Sequence, residues 1–317
     1  MNNQINILEL DRFLGSIHYT IPTVQILSLK KTVEEWISMN DYGAIIYGKS
    51  RSGKTRAIHY ISEQLRKKYG TQLPIYTYCA TDHKPTDRNF YSNLLVAIGH
   101  EEPFKGTAVQ LKQRLLNRMI VDALDTKYRR IILFIDEAFL LDAKEYLWLV
   151  NIYNSLNLND ILLTIFLFGT NELKEQKARF IRANKEQIVL RFMLKEFHFK
   201  GITSISDLSV CMHSLDKPFY FGEEKQEIVL SNLFFPIAYA DGMKLGSYTN
   251  DLWDAFEKVK LNYNVNTDEI LMKFFMDTII YCLRKYGTYG EKLYAPTIEE
   301  WENAMIKVGF VSSQLKQ

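Results

Sequence analysis

The sequence predicts an α/β chain: a three-layer α/β/α core around a mainly parallel sheet, followed by a helical domain. Three observations carry this. Short apolar runs alternate with helix-length segments through residue 200, the pattern of strands joined by helical crossovers. One run, Gly43–Tyr47, leads straight into the glycine-bounded loop GKSRSGKT at 48–55. Another, 131–135, ends in the dipeptide Asp136-Glu137. Beyond about residue 200 the strand signal fades and helical spacing remains.

Along the chain, residues 1–20 show little periodicity and read as an N-terminal extension. Val24–Ser38 has helical spacing, with Ile26, Leu27, Leu29, Val33 and Trp36 at apolar positions. The strand Gly43–Tyr47, the glycine-bounded loop and a helix from residue 56 to about 70 follow. Residues 73–78, LPIYTY, are rich in β-formers and read as a strand. Residues 81–88 form a polar, proline-containing loop. Helices are expected at 90–98 and Ala108–Leu124, and a strand at Arg130–Asp136, whose unbroken apolar run suits burial on both faces of a parallel sheet. A helix at 142–157 leads to a buried strand at 161–168, which ends in Gly169-Thr170-Asn171. Later helices are expected at 229–239, 248–259, 267–286 and 297–308, with Thr267 and Asp268 as caps. The expected domains are the extension at 1–20, a nucleotide-binding core at 21–200, and a helical lid and C-terminal extension at 201–317.

The loop at 48–55 has the form GxxxxGK[ST] between a strand and a helix, the context a phosphate-binding loop needs. Gly48 and Gly53 can take backbone angles that other residues resist. Gly48, Lys49, Ser50, Arg51, Ser52, Gly53, Lys54, Thr55 and Arg56 are the candidate nucleotide-binding set. Their N–H groups would face a triphosphate at a helix N-terminus, where the dipole favours negative charge. Lys54 would reach the β- and γ-phosphates of ATP, and the Thr55 hydroxyl would hold Mg²⁺. Asp136 fits the metal side, and Glu137 fits the group that positions and deprotonates the attacking water. Two carboxylates at a strand end are costly if buried unpaired, so a nearby cation is expected. Because 48–55, Asp136-Glu137 and Thr170-Asn171 all follow strand ends, they are expected on one edge of the sheet.

Composition narrows the class further. The 317 residues carry a net charge of only +2, with 47% apolar content. No apolar run approaches a membrane span, and the N-terminus lacks the basic-then-apolar form of a secretion signal. Cys79, Cys211 and Cys282 are far apart and form no CxxC pair, which argues against zinc and disulfide frameworks and fits a reducing cytoplasm. Any affinity for nucleic acid must come from local clusters. Two segments, 105–130 and 173–200, each carry a local excess of five positive charges.

The ordered set GKSRSGKT, IILFIDEA, a strand ending GTNEL, IRANKEQIVLRF and a helical lid resembles the AAA+ ATPases. The resemblance implies a polar sensor after the fourth core strand, filled by Asn171 with Thr170 beside it. It also implies an arginine that reaches a neighbouring subunit's ATP: Arg191 in VLRF, with Arg182 as second candidate. A planar, permanent cation suits developing phosphoryl charge. In the lid segment ADGMKLGSYTNDLW, Lys244 stands where that family has a second sensor arginine, a point charge in place of a fork. Within AAA+ proteins, the stretches FIDEAFLL, FKGTAVQLKQRL and GTNEL…IRANKEQIVLRFMLKEFHFKGI look like the TnsC/TniB regulators of transposition, over roughly residues 20–260. Residues 261–317 fit that pattern poorly. The likeness implies an ATP-dependent homo-oligomer, ring or helical filament, that winds around double-stranded DNA. It would carry a signal from a target-selector protein to a separate transposase, with hydrolysis driving disassembly. Lys105 and Thr107 match positions facing the DNA backbone, and Arg114 lies about two helical turns along. Contacts to phosphate carry no sequence information, so such binding is non-specific and salt-sensitive. The alternatives are another AAA+ DNA remodeller such as a helicase loader or replication initiator, a switch-type signalling ATPase, or a DNA-coating scaffold with little turnover.

Overall fold

The structure, a computed structural model, describes residues 7–16, 18–70, 72–82, 84–222, 225–287 and 294–314. The chain divides into two compact units. One comprises Ser28–Ser50 and Lys54–Phe199; the other comprises the described residues of Met1–Leu27, Arg51–Gly53 and Lys200–Gln317.

The described elements open with helices α1 (Ile7–Gly15) and α2 (Val24–Ser38), then strand β1 (Gly43–Tyr47), helix α3 (Lys54–Tyr69) and strand β2 (Ile75–Cys79). Helices α4 (Asp87–Ala97) and α5 (Ala108–Leu124), strand β3 (Arg130–Asp136), a 3₁₀ turn at Ala138–Leu140 and helix α6 (Ala143–Asn157) follow. Strand β4 (Leu162–Gly169), helices α7 (Glu172–Arg182) and α8 (Glu186–Phe192) and strand β5 (Lys195–His198) complete the sheet unit.

Its sheet runs β2-β3-β4-β1-β5, parallel throughout. Every residue of β3, and every residue of β4 after the first, is buried, as an unbroken apolar run between two helical layers requires. On one face the buried set joins Ile45, Ile131, Leu133, Ile135, Ile165 and Leu167 to Leu94, Leu115, Tyr146 and Leu149 from α4, α5 and α6. On the other, Trp36 of α2 stacks on Phe166, which stacks on Phe134. The register sets Tyr47 opposite Gly169 and Ile135 opposite Leu167. The C-terminal ends of β1, β3 and β4 are therefore level.

Strand β5 has no counterpart among the strands expected from the sequence. It is an edge strand whose Lys195 and Glu196 are exposed, and charged edge positions protect a sheet from further pairing but hide its period. Arg130, counted in a basic cluster, is buried instead. Its guanidinium donates to the Ile37 carbonyl at 2.5 Å and to the Asn40 side chain.

The second unit contains α1, helices α9 (Ile205–Leu215), α10 (Leu230–Phe234), α11 (Pro236–Ala240), α12 (Thr249–Asn262), α13 (Met272–Tyr286), α14 (Ile298–Lys307) and α15 (Phe310–Gln314), and strands β6 (Phe219–Phe221) and β7 (Gln226–Ile228). Four expectations change here. The region is not all helical, because β6 and β7 pair antiparallel. Residues 7–15 of the expected extension form α1, whose Leu10 and Leu14 are buried with Met212, Phe256 and Trp301; residues 1–6 lie outside the described residues. The helix expected at 229–239 breaks at Phe235, because Pro236 has no N–H and opens a new helix. The helix expected from 267 starts only at Met272. Thr267 and Asp268 do not cap it: its N-cap is Leu271, without a side-chain bond, and Ile270 bridges Ile202.

Candidate nucleotide site

The site begins where β1 ends. Gly48 continues the strand, donating to the Gly169 carbonyl at 3.3 Å. A Cβ here would stand 2.0 Å from the Phe199 carbonyl oxygen, so close approach, not backbone angle, demands glycine. Gly53 does need the left-handed region, with φ of 105°. Arg51 adopts it too, at 65°, an uncommon state for a side-chain-bearing residue. The amides of Ser50, Arg51, Ser52 and Gly53 find no acceptor among the described residues. Successive undonated amides before a helix start suit an anion. The Ser52 hydroxyl is buried without a partner among the described residues.

Lys54, 6% exposed, folds back so that its ammonium donates to the carbonyls of Gly48 at 3.0 Å and Lys49 at 2.8 Å. That ammonium is held at the loop mouth as a compact charge. One residue on, the Thr55 hydroxyl donates to Asp136 Oδ2 at 2.6 Å. Asp136 Oδ1 accepts the Glu137 amide at 3.0 Å. A hydroxyl and a buried carboxylate are hard oxygen donors, the kind Mg²⁺ takes when phosphates and water complete its shell. Among the described residues no group of three or more His, Cys, Asp or Glu side chains could hold a metal ion.

Glu137 sits in the left-handed region, φ 51° and ψ 36°, an uncommon state for a residue with a side chain. Burial raises its carboxyl above the ordinary value; Asp136 and then Glu172 push the same way, while Lys54 opposes them. A base must be deprotonated to act, so a raised value moves the acid limb of activity upward. If Glu137 serves as the base of a hydrolysis, that activity is expected to fall on acidification at a pH above 4.5, the ordinary glutamate value. A pH profile of kcat/KM, which reports groups of the free protein, checks this, and a limb at or below that value would count against Glu137 as the base.

Thr170 and Asn171 emerge from β4 beside the start of the loop. The Thr170 hydroxyl is committed to Glu172, at 3.2 Å. Asn171 is exposed and its side-chain amide makes no hydrogen bond among the described residues, so it remains available.

Arg191 stands elsewhere. Its guanidinium lies 5.5 Å from the Tyr153 ring centroid, and that ring meets Tyr42, the residue before β1. The next residue, Phe192, packs its backbone against Gly43 at the start of β1. Arg191 is thus at the N-terminal ends of the strands. The loop at 48–55 is at the other end of β1, roughly 16 Å away at about 3.3 Å per residue. Arg182 is exposed near the end of α7 and, among the described residues, bonds only its own helix, to the Ala178 carbonyl at 3.4 Å.

Residues 38–176 match the AAA domain family. Among solved structures, the ORC2 protein of Aeropyrum pernix superposes with a TM-score of 0.51 at 11% identity, covering 93% of this chain and 71% of that one. The core has the P-loop AAA+ fold. Two further similar structures are the Aeropyrum pernix ORC1 protein in complex with DNA, at 0.43 and 14% over 82% and 63% of the two chains, and AMPPCP-bound DnaA from Aquifex aeolicus, at 0.40 and 14% over 96% and 91%. At those scores neither likeness bears on function. No curated protein matches the chain in sequence.

Within the AAA+ core, sequence reasoning missed two groups. Glu172 acts on Glu137 electrostatically. Gln176, 4% exposed, donates to the carbonyls of Phe139 and Leu141 and accepts from Tyr146. It ties the turn after Glu137 to the helix that follows Asn171. A glutamine on the apolar face of α7 was the available signal.

The remaining candidates have local roles. Lys105 is exposed and pairs with Glu102 at 2.7 Å. Thr107 caps α5 in a capping box with Gln110. Arg114 donates to the carbonyls of Glu102 and Lys105, both at 2.8 Å, so Thr107 and Arg114 shape the loop that presents Lys105. A groove beside them is lined by Gln113, Asn117 and Arg118 as well. In the second unit the Lys244 ammonium sits 3.6 Å from the Tyr239 ring centroid. Among the described residues no helix is long and apolar enough to cross a membrane.

Proposed function

We propose that this chain hydrolyses ATP at a seam between two copies of itself and that the assembly forms on double-stranded DNA. The observation that carries the reading is Arg191. It is a guanidinium with no carboxylate partner among the described residues, too far from its own loop to serve it. Leu190, Leu194 and Leu158, in the same part of the unit, are 55%, 56% and 86% exposed, as a face that meets another copy would be.

In this reading Lys54 and the loop amides hold the β- and γ-phosphates. Thr55 and Asp136 would hold Mg²⁺, which would supply charge neutralisation to the phosphates. Glu137 takes a proton from water as its oxygen bonds to the γ-phosphorus. The bond to the bridging β–γ oxygen breaks, and ADP leaves with that electron pair. Asn171 orients the water, and Arg191 of the next copy balances charge that grows on the transferred group. Since ligand at a shared seam stabilises the assembled state by mass action, hydrolysis loosens it. The ORC2 neighbour is described in ADPNP-ADP complexes, which agrees with nucleotide in this fold.

DNA would be met through Lys105 and the groove beside it. Lys105→Ala is expected to weaken duplex binding across all sequences and to reduce the salt slope by about one, while nucleotide affinity is unchanged. Titrations at several salt concentrations check this, and equal loss of both affinities would refute the assignment.

For the wider process, the reading nearest to the structural likeness is a DNA remodeller of the replication-initiator or helicase-loader kind. The transposition reading, with a transposase and a target selector as partners, is favoured by the stretch LRFMLKEFHFKGI. Much of that stretch has packing duties here: Phe192, Met193 and Phe199 are buried, and a Cβ at Gly201 would meet the Ile270 carbonyl at 2.3 Å. Stimulation of strand transfer by a transposase, set against loading of a replicative helicase, separates the two.

A further inference from the structure

We propose that Tyr153 and Asn154 are positioning residues for Arg191, holding its guanidinium in one orientation at the surface for the nucleotide of a second copy. The proposal rests on the reading of Arg191 as a group that acts in trans.

The geometry is that of a platform. The Tyr153 ring is 7% exposed, and Tyr42 abuts it edge-on, centroids 5.2 Å apart at 66°. The Tyr42 backbone is tied to β4, its carbonyl accepting the Ile165 amide at 2.9 Å. The Arg191 guanidinium covers the ring at 5.5 Å. Nη2 donates to Asn154 Oδ1 and Nη1 to the Gln187 carbonyl, both at 3.4 Å. Burial and then Tyr42 push the Tyr153 phenol up to about 12 against the opposing pull of Arg191, and the ring meets the cation as a neutral π-face, as a tyrosine does near neutral pH.

Lys127, Lys174 and Lys244 also lie over tyrosine rings, but other cations of this chain pair with carboxylates. Arg118 is neutralised by Asp122 at 2.8 Å and Lys177 by Glu196 at 2.5 Å. A carboxylate would occupy the donors of Arg191 and cancel its charge. A ring face attracts the cation without accepting its N–H bonds. Of the five guanidinium donors, two are used weakly and three have no acceptor among the described residues. Part of the side-chain freedom that docking would otherwise remove is already lost.

The test separates the subunit that lends Arg191 from the subunit that carries the reacting nucleotide. Arg191→Ala keeps an intact phosphate site but lends no arginine. Glu137→Gln lends Arg191 but cannot hydrolyse. A mixture of the two restores hydrolysis if Arg191 acts in trans. Tyr153→Leu added to the Glu137→Gln chain should lower that restored rate about tenfold, Asn154→Ala a few-fold, and Tyr153→Phe little. The same changes added to the Arg191→Ala chain should leave the restored rate as it was. Asn154 is exposed, so its variant should fold even if Tyr153→Leu does not. Undiminished rates with the changes in the Glu137→Gln chain, or equal losses in both arms, would overturn the positioning role. No restoration in the parent mixture would overturn the trans reading itself, and this proposal with it.

Discussion

Arg191→Ala should lower kcat for ATP hydrolysis by about 10³-fold or more, the range in which a trans-acting arginine contributes to phosphoryl transfer. The size follows from where charge changes. Negative charge shifts onto the transferred group and the leaving oxygen only as the bond breaks, so a guanidinium aimed there stabilises the transition state more than bound ATP. ATP affinity should therefore change little. Arg191→Lys should recover only part of the rate, because an ammonium lacks the planar fork. Phosphate release and nucleotide-binding titrations, run side by side, check both statements. A large loss of affinity with kcat intact would mean that Arg191 holds ground-state nucleotide instead.

Glu137→Gln should reduce hydrolysis by about 10²- to 10⁴-fold, the usual contribution of a positioned base, while binding and assembly persist. The structure gives the reason for the split. The Thr55–Asp136 bond and the Asp136 contact with the amide of residue 137 do not involve the Glu137 carboxylate. Glutamine can occupy the same left-handed position with the same amide bond. It also removes a negative charge that Asp136 and Glu172 repel, so the fold should not weaken. Electron microscopy of the variant with ATP and duplex DNA should show long-lived oligomers. Isolated subunits under those conditions would contradict the account.

The parts legible in the sequence were those with a strong period or a fixed chemistry. The run before GKSRSGKT marks β1, and the unbroken apolar run before Asp136 marks β3. Helices α2 and α5 carry clear helical spacing over 15 and 17 residues. Short or edge elements escaped. The three-residue strands β6 and β7 offer too few residues for a period of two, and β5 alternates charge at a sheet edge. Thr267 has the residue type of a cap, yet its hydroxyl bonds the Glu269 carbonyl. Within the site, motif spacing located the loop and both carboxylates. It could not show that Gly48 is required by a neighbouring carbonyl, that Gln176 braces the turn after Glu137, or that a tyrosine lies under Arg191. Those depend on contacts between residues far apart in the chain.

The most direct test of a shared site is to mix Arg191→Ala and Glu137→Gln proteins in equal amounts with ATP and duplex DNA. Each alone should be nearly inactive. Random pairing in a head-to-tail assembly brings an intact phosphate site against an intact Arg191 at about one seam in four, so hydrolysis should return to about a quarter of the wild-type rate. A mixture no more active than its two components would show that no arginine crosses from one copy to the next.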